Sequence, residues 1–270
     1  MVRKNKNSYG GLRVLVVLIV LLTGAALLAP LIAPNDPNET NLTMALLGPS
    51  ARYPLGTDAL GRCMLSRILY GARVSVFSSI AIIAIVLVIG TMVGMLAGYA
   101  GGVADRILSK LITLMQAFPK LILAIAIAGI LGAGIRSAII ALCLVEWADY
   151  ARISRNLCRQ IRQKTFIKAA RLCNASHGQI IVRHLLPNIF PVLIIQASLG
   201  IAAMIMEVAA LSYLGVGVSP PTAEWGAMIN AGRDYMQTRI QLILIPGAAI
   251  FTAAALFELL GEKLRDRLSR

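Results

Sequence analysis

Three carboxylates in this sequence sit where a carboxylate is costly: Glu146, Glu207 and Glu258 fall within or at the ends of long apolar runs. An ionisable group in hydrocarbon marks a proton relay, a substrate or ion contact, or a structural hydrogen bond. Glu207 lies about 30 Å along a helix from Pro187, near the outer end of its run. A gating or structural hydrogen bond to neighbouring backbone is expected there, while Glu146 and Glu258 are expected near inner ends, solvated or salt-bridged. His177 and His184 share one polar segment, which suits capping, partner packing or exposure better than metal ligation. Cys63, Cys143, Cys158 and Cys173 are widely spaced, and the sequence holds no CxxC pair, so neither a metal site nor a disulfide framework is expected. GxxxxGKS/T, HExxH and GxSxG are absent, and Gly261-Glu262-Lys263-Leu264 lacks both loop and hydroxyl. No enzyme chemistry and no directly bound cofactor is expected, so any ATP must be used by a partner.

The segment carrying both histidines, Gln163 to Asn188, reads as two short helices joined by a tight turn. At about 100° per residue, Lys164, Lys168 and Arg171 share one face and Phe166, Ala169, Ala170 and Cys173 the opposite one. Asn174 tolerates the left-handed geometry that closes the first helix, and Ser176 with Gln179 forms a capping box opening the second. Pro187 is expected to end that second helix. So long an amphipathic hairpin between apolar runs is more than a connector.

The apolar runs must position these groups. The chain has 270 residues, 58% hydrophobic and 14% charged, which is the composition of a membrane protein. Its net charge of +14 is dispersed between apolar runs, a pattern that excludes a nucleic-acid-binding domain and fits the positive-inside rule. Six runs approach the roughly 20 residues that a crossing requires: Leu12 to Ile32, Val74 to Tyr99, Leu121 to Ile135, Ser137 to Tyr150, Ile189 to Tyr213 and Ile240 to Leu260. The third is expected to follow an amphipathic stretch, Ala104 to Phe118, lying along the interface. Gly90, Gly94 and Gly98 repeat every fourth residue of the second run and form a ridge for close helix packing. Six crossings place both termini and the loop from Arg152 to Asn188 in the cytoplasm. That loop holds eight cations and no carboxylate, whereas Glu224, Arg233, Asp234 and Arg239 outside balance to zero. Trp147, Tyr150, Trp225 and Tyr235 are read as interfacial aromatics. The organisation expected is a cytoplasmic tail and first helix (1–33), an external loop with an interfacial helix (34–73), a core (74–260) with a cytoplasmic loop (151–188) and an external loop (214–239), and a cytoplasmic tail (261–270). A stand-alone channel, a secondary transporter and a membrane assembly scaffold remain open at this point.

The hairpin resembles the coupling loop of the permease subunits of binding-protein-dependent ABC importers, whose signature runs Glu-Ala-Ala, three residues, Gly, and later Ile-x-Leu-Pro. Here it reads Lys168-Ala169-Ala170, then Asn174, then His184-Leu185-Leu186-Pro187, so Lys168 replaces the acid and Asn174 the glycine. GTDALGR (Gly56 to Arg62), SRILYGARVS (Ser66 to Ser75), LSYLGVGVSPPTAEWGAMI (Leu211 to Ile229) and LLGEKLRDRL (Leu259 to Leu268) are similar to the second permease of the peptide and nickel branch. Cys63 stands where peptide permeases usually carry Asp. The resemblance implies an all-α membrane protein with six transmembrane helices, the type I importer permease fold and cytoplasmic coupling helices, set in the cell membrane. It implies ATPase-coupling roles for Phe166, Lys168, Ala169, Ala170, Arg171, Cys173, Asn174, Ser176, Leu186 and Pro187. Its implied partners are a homologous second permease, two cytoplasmic ATPases holding ATP and Mg, and an external binding protein. The implied cargo is nickel, a nickel chelate or short peptides.

Overall fold

The computed structural model describes residues 7–268, with side chains from residue 10 onward; the cations Arg3, Lys4 and Lys6 lie outside the described residues. Apolar runs of this length leave backbone amides no water to bond with, so each segment satisfies its own by coiling into helix. The helices are α1 (Asn7–Leu27), the single turn α2 (Ala29–Ile32), α3 (Met64–Ala100), α4 (Gly102–Gln116), α5 (Lys120–Leu131), α6 (Ile135–Arg162), α7 (Thr165–Leu172), α8 (His177–Ile180), α9 (Leu186–Tyr213), α10 (Trp225–Gly232) and α11 (Gln241–Leu268). Helices α1, α3 and α11, and the run from His177 to Tyr213, are long and apolar enough to cross a bilayer. Helices α4 and α5 meet that test only as a pair, bent by 88°.

Several boundaries differ from the sequence reading, each for a local reason. Helix α3 is a single rod of 37 residues, so the expected interfacial helix and second span are continuous and the boundary at 73/74 falls inside it. Helix α5 has only 12 residues, about 18 Å against a hydrocarbon core of about 30 Å. Gly132 and Gly134, at φ 87° and 150°, turn the chain before the expected third crossing reaches Ile135. Helix α6 runs well beyond Tyr150, to Arg162, because its polar second half keeps a buried stripe through Ser154, Cys158 and Ile161.

Pro187 does not end its helix. Residues Ile181–Leu185 form a π turn, and the chain passes through it directly into α9, with Pro187 in the first turn of that helix. A proline ring normally clashes with the carbonyl four residues earlier, and the wider turn relieves that clash.

The bundle centres on α3 and α6. A Cβ on Gly90 would lie 2.6 Å from Tyr150 Cβ, one on Gly94 would overlap the Ala151 backbone, and one on Gly98 would lie 2.7 Å from the Arg155 carbonyl oxygen. Without side chains at these positions the two backbones meet, and dispersion between them replaces the hydrophobic drive that lipid removes. Beyond this seam, Ile82, Val86, Leu142, Val145, Met204 and Val208 knit α3, α6 and α9 together.

Between α2 and α3 the chain folds into a compact cap. Asp58 Oδ1 accepts from the amides of Leu60 and Arg62, and its Oδ2 lies 2.7 Å from Arg62 Nε and 3.5 Å from Arg67 Nε. Arg67 also donates to the carbonyls of Pro37 (2.8 Å) and Pro221 (3.3 Å), tying the segments before α3 and before α10 to the start of α3. Trp225, expected at the interface, is instead fully buried over Gly71 and donates through Nε1 to the Ile68 carbonyl. Tyr150 is likewise buried rather than interfacial, packed against Gly200 with its hydroxyl on the Gln196 carbonyl.

Candidate coupling hairpin and intramembrane charge cluster

The hairpin forms as the local sequence dictates. Asn174 adopts φ 59°, the amide of Ala175 bonds to the Ala170 carbonyl, and that of Asn174 bonds to the Arg171 carbonyl. This is a Schellman closure with Asn in the place that glycine usually holds. Ser176 Oγ accepts from the Gln179 amide while Gln179 Oε1 accepts from the Ser176 amide, a complete capping box.

The residue that anchors α7 is Ile167, which sits between the two expected faces. It is fully buried with Cys158, Ile161, Ile180, Leu185 and Ile189. Phe166 (41% exposed), Leu172 (89% exposed), Ala169 and Cys173 turn outward, Ala170 is half-buried, and Phe166 leans on the His184 ring. On the other side Lys168 and Arg171 face a cleft shared with Arg159 and Arg162. The Tyr99 hydroxyl pairs with His177 Nδ1 at 2.7 Å, and Arg171 lies over the Tyr99 ring, so the end of α3 braces the hairpin. Leu186 and Pro187 belong to the first turn of α9 rather than to the hairpin tip.

The second site lies within the bundle. Lys120, at the start of α5, places Nζ 2.8 Å from Glu146 Oε1 and also bonds Asp149 Oδ2. Gln116 donates to Asp149 Oδ1 at 2.6 Å, and Arg152 donates to Gln116 Oε1 at 3.1 Å. Glu146 is therefore salt-bridged, one of the two expected alternatives, but buried midway along α6 rather than at the surface. Glu207 makes no backbone hydrogen bond among the described residues; it sits partly buried within electrostatic range of Glu146, Lys120 and Asp149. Glu258 is exposed. Lys120 was not foreseen as a partner because it is 26 residues from Glu146 in sequence, and only the turn at Gly132 and Gly134, which lays α5 back along α6, brings them together.

A third polar centre lies where α10 packs against the first half of α3. Glu224 is completely buried; its Oε2 accepts from the Ala227 amide at 2.8 Å, capping α10, and its Oε1 accepts from Ser75 Oγ at 2.9 Å. Counted from sequence as one outer charge among four, it is a buried cap. The Pro-Pro pair just before it and the Trp-Gly helix start just after were the available signals.

A multi-pass helical bundle with an amphipathic hairpin poised beside its spans defines a membrane transport component. The chain belongs to the family of binding-protein-dependent transport system inner membrane components, whose model matches residues 90–270. Residues 2–49 match the N-terminal TM domain of oligopeptide transport permease C. The nickel transport system permease protein NikC of Escherichia coli K12 is 40% identical, over 97% of this chain and 95% of its own length. The probable D,D-dipeptide transport system permease protein DdpC of the same organism is 39% identical, over 93% and 85%. A structure of the MetNI methionine ABC transporter in an inward-facing conformation superimposes with a TM-score of 0.63 at 20% identity, covering 77% of this chain and 98% of that one. The fold is thus that of a type I ABC importer permease, and the chain is a permease subunit of the peptide and nickel branch.

Proposed function

We propose that this chain forms half of the translocation pathway of an ATP-driven importer in the cell membrane, with both termini and the hairpin inside. Six crossings are counted by taking the bent α4–α5 pair as the third and α6 as the fourth. The apolar first half of α6 lies along α3, and only Glu146 and Asp149 in its middle interrupt the run. A homologous permease completes the pathway, an external binding protein delivers the cargo, and two cytoplasmic ATPases bind ATP and Mg.

The observation that carries the coupling role is the division of α7. Ile167 fixes the helix to the bundle while Phe166, Ala169, Leu172 and Cys173 are left outward for another surface. When ATP closes the ATPase pair, seated hairpins move with them and rock the helices from inward-facing to outward-facing; hydrolysis resets them. The cargo is nickel, a nickel chelate or a short peptide, as the NikC and DdpC likenesses suggest. The binding protein makes the main selection.

The test is Ala170→Glu in the assembled complex. A buried charge at the docking helix should reduce copurification of the ATPases at least tenfold and abolish uptake. Undiminished copurification with full uptake would remove the hairpin from the coupling path, and uptake persisting with hydrolysis-dead ATPases would remove the importer reading itself.

A further inference from the structure

The cations beside α7 do not balance. Arg159 and Arg162 from the end of α6, and Lys168 and Arg171 from α7, line one cleft of about 640 Å³ that also borders Gly98, Gly101 and Asp105. Asp105 is the sole carboxylate lining it among the described residues, and Arg155 engages both its oxygens. Arg159 reaches that carboxylate only at 3.6 Å. Arg162 donates to the Tyr99 carbonyl, Arg171 stacks over the Tyr99 ring, and Lys168 Nζ has no hydrogen-bond or ion-pair partner among the described residues. The C-terminal dipole of α6 offers roughly half a negative charge. That leaves most of the excess uncompensated within one cleft, where like charges at these separations repel.

A second observation indicates what kind of anion compensates it. Arg162 and Arg171 are also the wall of an adjoining cleft of about 590 Å³, lined otherwise by Leu96, Tyr99, Ala100, His177 and Ile181. That neighbour is largely apolar, and Leu96 is exposed on it. Cations and an apolar groove sharing one wall match a ligand with an anionic head and a hydrocarbon tail. Basic pockets between membrane helices on the cytoplasmic side take phosphate headgroups in this way.

We propose that this cleft binds a phosphate group, held as the headgroup of an acidic phospholipid of the cytoplasmic leaflet, with an acyl chain along Leu96, Ala100 and Ile181. Lys168, which stands where the family signature has an acid, adds a second cation beside Arg171 from the coupling helix. The bound lipid bridges α7 to α6 and stiffens the link between the hairpin and the bundle. The cytoplasmic placement rests on the orientation proposed above; the binding itself does not.

The test uses the purified, complete transporter complex in mixed phosphatidylglycerol and phosphatidylcholine nanodiscs, with retained lipid counted by native mass spectrometry. The wild type should keep phosphatidylglycerol in preference to phosphatidylcholine. Arg159→Gln combined with Lys168→Gln should weaken that preference by roughly fivefold per cation removed, about twenty-five-fold together. Arg136→Gln, at the opposite end of α6, should leave it unchanged. Equal retention by the double variant and wild type overturns the proposal. So does displacement of the lipid by millimolar inorganic phosphate that is itself retained with the same sensitivity to the double variant, because the ligand is then a free anion. Labelling of a cysteine at His177 from outside intact cells would overturn the orientation while leaving the lipid result to stand on its own.

Discussion

The cap before α3 and the hairpin after α6 are both rich in polar side chains and treat them in opposite ways. In the cap, each of the central charges finds its complement within the chain: Asp58 with Arg62 and Arg67, Glu224 with Ser75 and the first turn of α10. At the hairpin, cations gather around one occupied carboxylate, and large apolar side chains face away from the bundle. The cap is a finished surface, and the hairpin leaves charge and apolar surface unmatched within the chain, as the proposed coupling role requires. Substitutions in the self-satisfied parts should therefore register as lost folding, and substitutions on the hairpin as lost assembly with folding intact.

The largest effect is expected at the seam that holds both regions on one frame. Gly94→Leu drives a side chain into the Ala151 backbone, and overpacking of rigid backbone costs about 1–3 kcal/mol or more. The permease should fail to accumulate in membranes; wild-type levels would show that the α3–α6 seam tolerates separation. Next is Glu224→Ala, which leaves Ser75 and the Ala227 amide without their acceptor. A loss of roughly 3 kcal/mol is expected, read as a clear fall in the melting temperature of the solubilised complex. A shift within error would contradict the description of the cap as internally closed.

Phe166→Asp tests the other side of the contrast. Phe166 is on the outward face of α7, so permease stability should change by less than about 0.5 kcal/mol while ATPase copurification falls roughly thirtyfold. Loss of the folded permease instead would place the hairpin with the cap, as part of the core. The smallest effect is expected for Asn174→Gly. Glycine relieves the mild strain of a left-handed residue, worth up to about 1 kcal/mol, and uptake should be unchanged because the turn geometry is the same. A drop in uptake would assign the Asn174 side chain a contact of its own.

Much of the hairpin was legible in sequence because its signals are local. The Ser176–Gln179 box, the Asn174 closure and the two-faced helix all follow from spacings of a few residues. Even there Ile167 was missed, since a two-face reading leaves it between the faces, and which flank of a helix turns inward is decided by α6 and α9. The glycine ridge was readable as a ridge, but its partner was not. Lys120 was overlooked as the partner of Glu146 because the turn at Gly132 and Gly134, which folds α5 back along α6, has to be known before the two can be paired. Trp225 and Tyr150 look like interfacial aromatics by type and position; only glycines on neighbouring helices, Gly71 and Gly200, make the room that buries them.

The π turn at Ile181–Leu185 has a consequence for phase. A π turn holds one residue more than the α-helix it interrupts, so it offsets everything before it by about 100° of rotation relative to α9. The direction in which Phe166 and Lys168 face is thus indexed to the core through one surplus residue. Removing Val182 would restore regular winding, shorten the rod by only about 1.5 Å, and swing the docking face about a quarter turn. The transporter would then resemble a key cut correctly and inserted at the wrong angle: folded, in the membrane, and unable to turn.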